Sequence, residues 1–221
     1  MNLFPVNLDI RGRVAVVVGG GAVAERKCRS LLEAEAKVTV VAPAITPGLE
    51  ELSREGKISV LRRQYLAGDL AGGLLVFTAT DDRAVNRAVA EEAKRLGILV
   101  CVANEPAEGT FASPSVVRRG DLLLTISTGG RSPALARRIR QDLEFRFGPE
   151  YADIIDIIGT FRENLLTEGR ESAYNSQLFS ELLTGDLSRL LNPAERERLF
   201  NSITNTDTER TPRPPDTEES S

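Results

Sequence analysis

The sequence predicts an α/β protein: a Rossmann-like parallel-sheet domain first, and a helical region after it. Three observations carry this. Short β-branched apolar runs alternate with helix-spaced segments from Arg13 to Val102, the rhythm of βαβ units in a parallel, doubly wound sheet. A glycine loop, Gly19-Gly20-Gly21-Ala22-Val23-Ala24, separates the first apolar run from the first helix. From Tyr151 to about Ser202 the apolar spacing is helical, with clusters such as Ile154-Ile155-Ile157-Ile158 and Leu182-Leu183.

Each element has its own signal. Arg13-Val14-Ala15-Val16-Val17-Val18 is a short β-branched run, as expected of a strand buried on both faces. Ala22 to Ala36 places Ala24, Cys28, Leu31 and Leu32 on one helical face. Val38 to Val41 reads as a second strand stopped near Pro43, Ile58 to Leu61 as a weaker third, and Leu74 to Thr78 as a fourth. A helix from Asp82 to Leu96 and a strand from Ile98 to Val102 follow. Leu122 to Ser127 reads as one more strand, and a polar glycine loop, Ser127 to Ser132, leads into a helix at Pro133. Ser132 suits the N-cap and proline the first helical position. From Asn205 the chain is Thr, Pro and charge; such a tail buries too little surface to offset its ordering entropy, so disorder is expected there.

Composition narrows the function. The chain has 221 residues, enough for one large domain or two small ones. A net charge of −4 supplies no overall attraction to nucleic acid or anionic membrane. The two cysteines, Cys28 and Cys101, make no disulfide framework and read as buried free thiols of a reducing compartment. Met1 to Asp9 lacks the pattern of a signal peptide, and no apolar run approaches the ~20 residues of a membrane span, so a cytoplasmic protein is expected. The sequence holds no histidine, which excludes Ser-His-Asp triads, Cys-His pairs and histidine metal sites. Acid–base chemistry must then use carboxylates, Lys, Tyr, Cys or the substrate.

Gly19, Gly21 and Ala24 fit G-x-G-x-x-A after a strand and at the start of a helix. The first glycine permits the turn, the second admits a pyrophosphate, and the small third residue lets helix and strand pack closely. The helix N-terminus adds unpaired N–H groups and the positive dipole end. A tight turn that binds nothing is the structural alternative. The acidic residue that commonly ends the second strand and holds the ribose is missing, for the chain reads Val41-Ala42-Pro43-Ala44. No arginine directly follows it either, which favours NAD over NADP. At the end of the fourth strand, Thr80 and Asp81 point toward the cofactor crevice, with helix capping by Asp81 or Asp82 as the alternative. Asn104-Glu105-Pro106 ends the fifth strand. Asn104 donates and accepts hydrogen bonds without acting as a base, and Glu105 next to it faces the other way along an extended chain. Ser127, Thr128, Gly129 and Arg131 form a second glycine loop at a helix start, suited to an anionic ligand, with Arg118, Arg119, Arg137, Arg138 and Arg140 near in sequence. A capping loop beside a solvated basic helix face is the alternative.

Together these stretches resemble the precorrin-2 dehydrogenase / sirohydrochlorin ferrochelatase family, found also as the N-terminal module of siroheme synthase. The matching segments are Leu3-Phe4-Pro5, Val18 to Lys27, Val40 to Pro43, Tyr65 to Leu70, Ala79 to Asp82 with Asn86, Phe111 to Ser115, and Ser127 to Pro133. The resemblance implies NAD-dependent oxidation of precorrin-2 to sirohydrochlorin, in some members with insertion of ferrous iron. It also implies a homodimer, with an NAD-binding Rossmann domain at 1–112, a dimerisation segment at 113–148 and a small helical domain at 149–204 before a disordered tail at 205–221. On this reading Gly19, Gly20, Gly21, Ala22, Val23, Pro43, Ala44, Thr80 and Asp81 hold NAD. Asn104 orients the tetrapyrrole, and Ser127, Thr128, Gly129 and Arg131 grip its carboxylates. No metal site, nucleic acid or membrane partner is expected. Asn104 departs from the family, which usually carries aspartate two residues before the matching proline. The alternative is a tetrapyrrole- or NAD-binding protein that kept the fold without catalysis, or a nucleotide-sensing regulatory domain.

Overall fold

A computed structural model describes residues 3–167 and 186–205. The chain divides into two compact units: one runs through Pro114 and includes Ser127–Pro133, and the other comprises Ser115–Ile126 with the chain from Ala134 on.

The first unit is a five-stranded parallel sheet, order β3-β2-β1-β4-β5, built from β1 (Val14–Val18), β2 (Lys37–Val41), β3 (Ile58–Leu61), β4 (Leu75–Thr78) and β5 (Leu99–Val102). β1 lies at its centre, and Val16, Val17 and Val18 are buried on both sides of it. Fully burying each such side chain contributes about 1.5–3 kcal/mol. Helices α1 (Ala22–Glu33) and α2 (Pro47–Arg54) pack Ala24, Cys28, Leu31, Leu49 and Leu52 with Ala15, Val17, Val38 and Val40. α3 (Arg83–Arg95) packs Val89, Ala90 and Ala93 with Val16, Val18, Val76 and Val100. The strand order reverses between β1 and β4, the place where open α/β sheets bind ligands at the carboxyl ends of their strands.

The predicted strands and helices form with ends shifted by a residue or so: Arg13, Leu74, Ile98 and Ser127 fall just outside them. α1 stops at Glu33 rather than Ala36 because Glu35 adopts φ 57°. Its N–H reaches Leu32 O and that of Ala36 reaches Leu31 O, a Schellman termination with glutamate at the left-handed position. α2 adds to the elements the sequence predicts: Thr46 caps it by accepting from Leu49 N at 3.3 Å, and Pro47 takes the first turn. The free edge of β5 is covered by its own chain, as Thr110 N–H donates to Val100 O (2.8 Å) and Thr110 Oγ1 accepts from Val100 N (2.9 Å).

The second unit opens with an antiparallel hairpin, β6 (Ser115–Arg119) and β7 (Leu122–Ile126), turning at Gly120 with φ 54°. β6 went unpredicted. α4 (Pro133–Arg146) and α5 (Tyr151–Thr167) follow, then a 3-10 turn at Leu187–Leu191 and α6 (Pro193–Asn205). Ile154, Phe161 and Leu190 form its buried core, with Phe161 and Phe200 stacked 4.0 Å apart. Arg119 donates to Phe147 O and Glu144 O at the end of α4. The helical reading of 168–185, and the tail from 206 on, lie outside the described residues. No described helix is long and apolar enough to cross a membrane.

Candidate functional site: the crest of the parallel sheet

The loop between β1 and α1 is packed from both sides. Gly19 has φ 125° and donates to Val41 O at 3.0 Å, and a Cβ on it would overlap the Ala79 carbonyl group after β4. A Cβ on Gly20 would overlap the Ala44 carbonyl oxygen after β2, while Gly20 O accepts from Thr46 N at 2.9 Å. The first two glycines thus let the loop close against both neighbouring strand ends. Gly21 differs: it is extended at φ −85°, and a Cβ there would meet nothing within 4 Å. Gly21 is also the N-cap of α1 and provides no side-chain cap, and the first intrahelical bond is Glu25 N to Gly21 O. The N–H groups of Ala22, Val23 and Ala24 precede that bond, so they await an acceptor. An open, uncapped helix start with nothing bulky before it has the chemistry that suits an anionic group such as a diphosphate.

Pro43 and Ala44 lie in the loop that closes on Gly20, and neither brings a charge to the end of β2. At the end of β4, Thr80 Oγ1 donates to Asn86 Oδ1 (2.9 Å) and Asn86 Nδ2 donates back to Thr80 O (2.9 Å). Asn86 is buried in α3, so this reciprocal pair fixes the turn that carries exposed Asp81. Asp82 is the cap: its Oδ1 accepts from Ala84 N at 2.8 Å and Val85 N at 3.2 Å. Capping therefore falls to Asp82, which leaves Asp81 to solvent. After β5, Ala103 N donates to Thr78 O at 3.1 Å, Asn104 is exposed, and Glu105 pairs with Arg83 at 3.3 Å. The two neighbours thus differ in their engagements.

Ser127, Thr128, Gly129 and Arg131 group with the first unit. Gly129 and Gly130 take φ 62° and 81°, Ser127 Oγ accepts from Gly129 N, and Thr128 Oγ1 accepts from Ser132 N at 3.1 Å. Both hydroxyls therefore shape the loop itself, and Arg131 is exposed. Two of the nearby arginines are paired within α4, Arg138 with Asp142 and Arg140 with Glu144. Among the described residues no group of three or more His, Cys, Asp or Glu could hold a metal ion.

Three sets of contacts in the first unit escaped the sequence reading. Lys27 Nζ donates to Ser113 Oγ at 2.7 Å and lies 5.2 Å from the Phe77 ring centroid; burial pulls its pKa down. Burial likewise raises the neighbouring Cys101 thiol. Glu92, buried in α3, accepts from Tyr65 Oη and from Gly68 N (2.9 Å), pinning the loop before β4. Burial first, and then this carboxylate, hold the Tyr65 hydroxyl in its protonated form. Glu25 accepts from Thr46 Oγ1 at 2.6 Å and from Arg29. The Glu25-Arg26-Lys27 and Tyr65 to Leu70 stretches are among the similarities above, but Thr46, Ser113 and Glu92, with which they bond, are distant in sequence.

An NAD(P)-binding family matches residues 6–115, and the sirohaem biosynthesis protein central family matches residues 119–144. Siroheme synthase of Nitrosospira multiformis is 38% identical over 195 residues, covering 86% of this chain and 41% of that protein. Siroheme synthase of Pseudomonas aeruginosa strain LESB58 is 37% identical over 203 residues, covering 90% and 44%. The chain thus spans about two fifths of the length of these curated relatives. Among solved structures, SirC, precorrin-2 dehydrogenase, superposes with a TM-score of 0.74 at 29% identity, over 92% of this chain and 100% of that one. With two family models running in order from 6 to 144 and a solved relative matched over its full length, the chain belongs to the precorrin-2 dehydrogenase family, which includes the corresponding module of siroheme synthase.

Proposed function

We propose that this chain oxidises precorrin-2 to sirohydrochlorin with NAD, as a step of siroheme biosynthesis. The observation that carries the reading is the likeness to SirC, precorrin-2 dehydrogenase, over the whole of that chain. The open, uncapped start of α1 at Gly21 supports NAD as the oxidant. Gly19 to Val23 would hold the diphosphate, Pro43 and Ala44 the adenosine end, and Thr80 and Asp81 the crevice side of the cofactor. Asn104 would orient the macrocycle, with Ser127, Thr128, Gly129 and Arg131 taking its carboxylates.

The reaction moves a hydride from the macrocycle to the nicotinamide and releases one proton. Hydride transfer needs orientation above all, since the cofactor supplies the chemistry. Asn104 supplies orientation, and the proton goes to water or to a substrate carboxylate. Insertion of ferrous iron displaces pyrrole protons and is the step that an amide at this position serves least. The chain would act as a homodimer through the segment 113–148: on α4, Phe145 is 94% exposed and Leu135 is exposed, apolar surface of the kind a self-complementary contact covers.

The test is anaerobic incubation of the pure protein with precorrin-2 and NAD, followed by the absorbance of sirohydrochlorin. Production above the enzyme-free control is expected; no excess would refute the reading. Ferrous iron added in a second arm measures chelation separately, and light scattering gives the mass of the assembly. Binding of NAD or tetrapyrrole without turnover would favour the non-catalytic alternative raised by Asn104.

A further inference from the structure

The loop after β2 carries no acidic side chain, and one residue of α1 holds it in place. Glu25 Oε2 accepts from Thr46 Oγ1 at 2.6 Å, and Glu25 Oε1 accepts from Arg29 Nη2 at 2.8 Å and Nε at 3.1 Å. Thr46 is at once the N-cap of α2 and, through its N–H, the donor to Gly20 O. Ala44 of the same loop presses its carbonyl against Gly20. The loop Ala42 to Thr46 is therefore tied at Thr46 both to Glu25 and to the phosphate loop.

We propose that Glu25 is a positioning residue for the cofactor, holding the Ala42–Thr46 loop through Thr46 so that its backbone receives the adenosine end of NAD. The proposal rests on the dinucleotide reading above. Two further observations point the same way. The Glu25 carboxylate lies directly over Gly48, where a Cβ would overlap all three of its carboxyl atoms. The charge is also accounted for: the Thr46 hydroxyl first, then Arg29, hold its pKa below the usual range. A loose carboxylate one turn into α1 would repel the diphosphate at the helix start. Bound to Thr46 and Arg29, it fixes the loop instead.

Isothermal titration of the full chain with NAD, beside thermal melts of each variant, tests this. Glu25→Ala keeps the Thr46 cap and releases the loop; the dissociation constant for NAD is expected to rise about five- to tenfold, less than the full scale of losing a hydrogen bond to a charged group because Thr46 keeps its bond to Gly20 O. Glu25→Gln keeps an acceptor for Thr46 Oγ1 and should bind within about twofold of wild type. Gly48→Ala leaves Glu25 present but displaces it. It should weaken NAD as Glu25→Ala does while the melting temperature stays at or above that of Glu25→Ala, since alanine is the better helix former. In the double variant, Gly48→Ala should add no further loss of binding. If wild type binds and Glu25→Ala binds equally well, the positioning role is refuted while the dinucleotide reading stands. Tighter binding by both Glu25 variants would also refute it, leaving only a charge effect. If wild type gives no binding heat, the dinucleotide reading itself falls and takes this proposal with it.

Discussion

Replacing Gly21 by serine separates what α1 needs from what the cofactor needs. Gly21 is extended, at a φ that any residue adopts, and a Cβ placed on it meets nothing within 4 Å. Serine therefore enters without strain, and its hydroxyl supplies the cap that α1 lacks by accepting from the N–H of Val23 or Ala24. Glycine to serine at an N-cap contributes a few tenths of a kcal/mol, and the loss of glycine's freedom in the unfolded chain adds about 0.4–1 kcal/mol. For a chain of this size the sum raises the melting temperature by about 2–4 °C.

The same hydroxyl takes the N–H groups that the diphosphate would use. Hydrogen bonds to a charged group are worth about 1.5–3 kcal/mol, so NAD affinity should fall about ten- to a hundredfold. Melting without cofactor and calorimetric titration with NAD read the two effects independently. A Gly21→Ser protein that is more stable and still binds NAD as wild type does would refute the placement of the diphosphate at α1. Gly20→Ala is the contrast: its Cβ runs into the fixed carbonyl of Ala44, and such overpacking costs about 1–3 kcal/mol. Stability and binding should fall together there.

Three further outcomes are expected. Glu35→Gly relieves a left-handed glutamate at the end of α1, where L-residues lose about 1–2 kcal/mol and glycine gives back at most about 1 in entropy; urea denaturation should show a gain of up to about 1 kcal/mol, and a loss would refute the Schellman account. Asp69 is bound by Arg63 at 2.6 and 2.7 Å and by Leu66 N at 2.9 Å, and the Arg63 contact first of all lowers its pKa. A carboxylate whose folded pKa is depressed stabilises above its unfolded value, about 3.9, and that stability is lost as pH falls toward the folded value. Asp69→Asn should thus melt lower at pH 7, by the few degrees that about 1–2 kcal/mol gives, with the gap closing below about pH 4; a gap independent of pH would refute the ion-pair account. Asn104→Ala should lower kcat for precorrin-2 oxidation with the NAD dissociation constant unchanged, and Asn104→Asp should restore kcat; equal turnover in all three proteins would remove Asn104 from the substrate's surroundings.

What could be read in the sequence is what repeats over short spacings. Val14 to Val18 announces a strand buried on both faces, Ala24, Cys28 and Leu31 fall at helical intervals, and Gly19-Gly20-Gly21 stands where strand passes to helix. The elements that went unpredicted carry little such signal. α2 has eight residues and only Leu49 and Leu52 buried, beneath a proline and a glycine that read as a loop. β6, Ser-Val-Val-Arg-Arg, buries Val117 alone among its five residues. The end of α1 was misplaced because a left-handed glutamate looks like a helix residue on the page.

The site follows the same division. Gly19 and Gly20 are needed for the close approach of Ala79 and Ala44, and their type alone indicated a tight, phosphate-sized turn. Glu25, in contrast, reads as an exposed residue on the polar side of a helix, and Thr46 as the cap it also is. Their bond joins residues 21 apart and depends on a third, Gly48, being empty where the carboxylate rests. No periodicity encodes a contact of that kind, since the three residues come together only when α1 and α2 pack on one face of the sheet. The missing acidic residue after Val41 was visible from the sequence, whereas the bond of Glu25 to Thr46 was not. A carboxylate at the end of β2 would meet the ribose directly; on the proposal above, Glu25, one turn into α1, would act on the loop instead through Thr46.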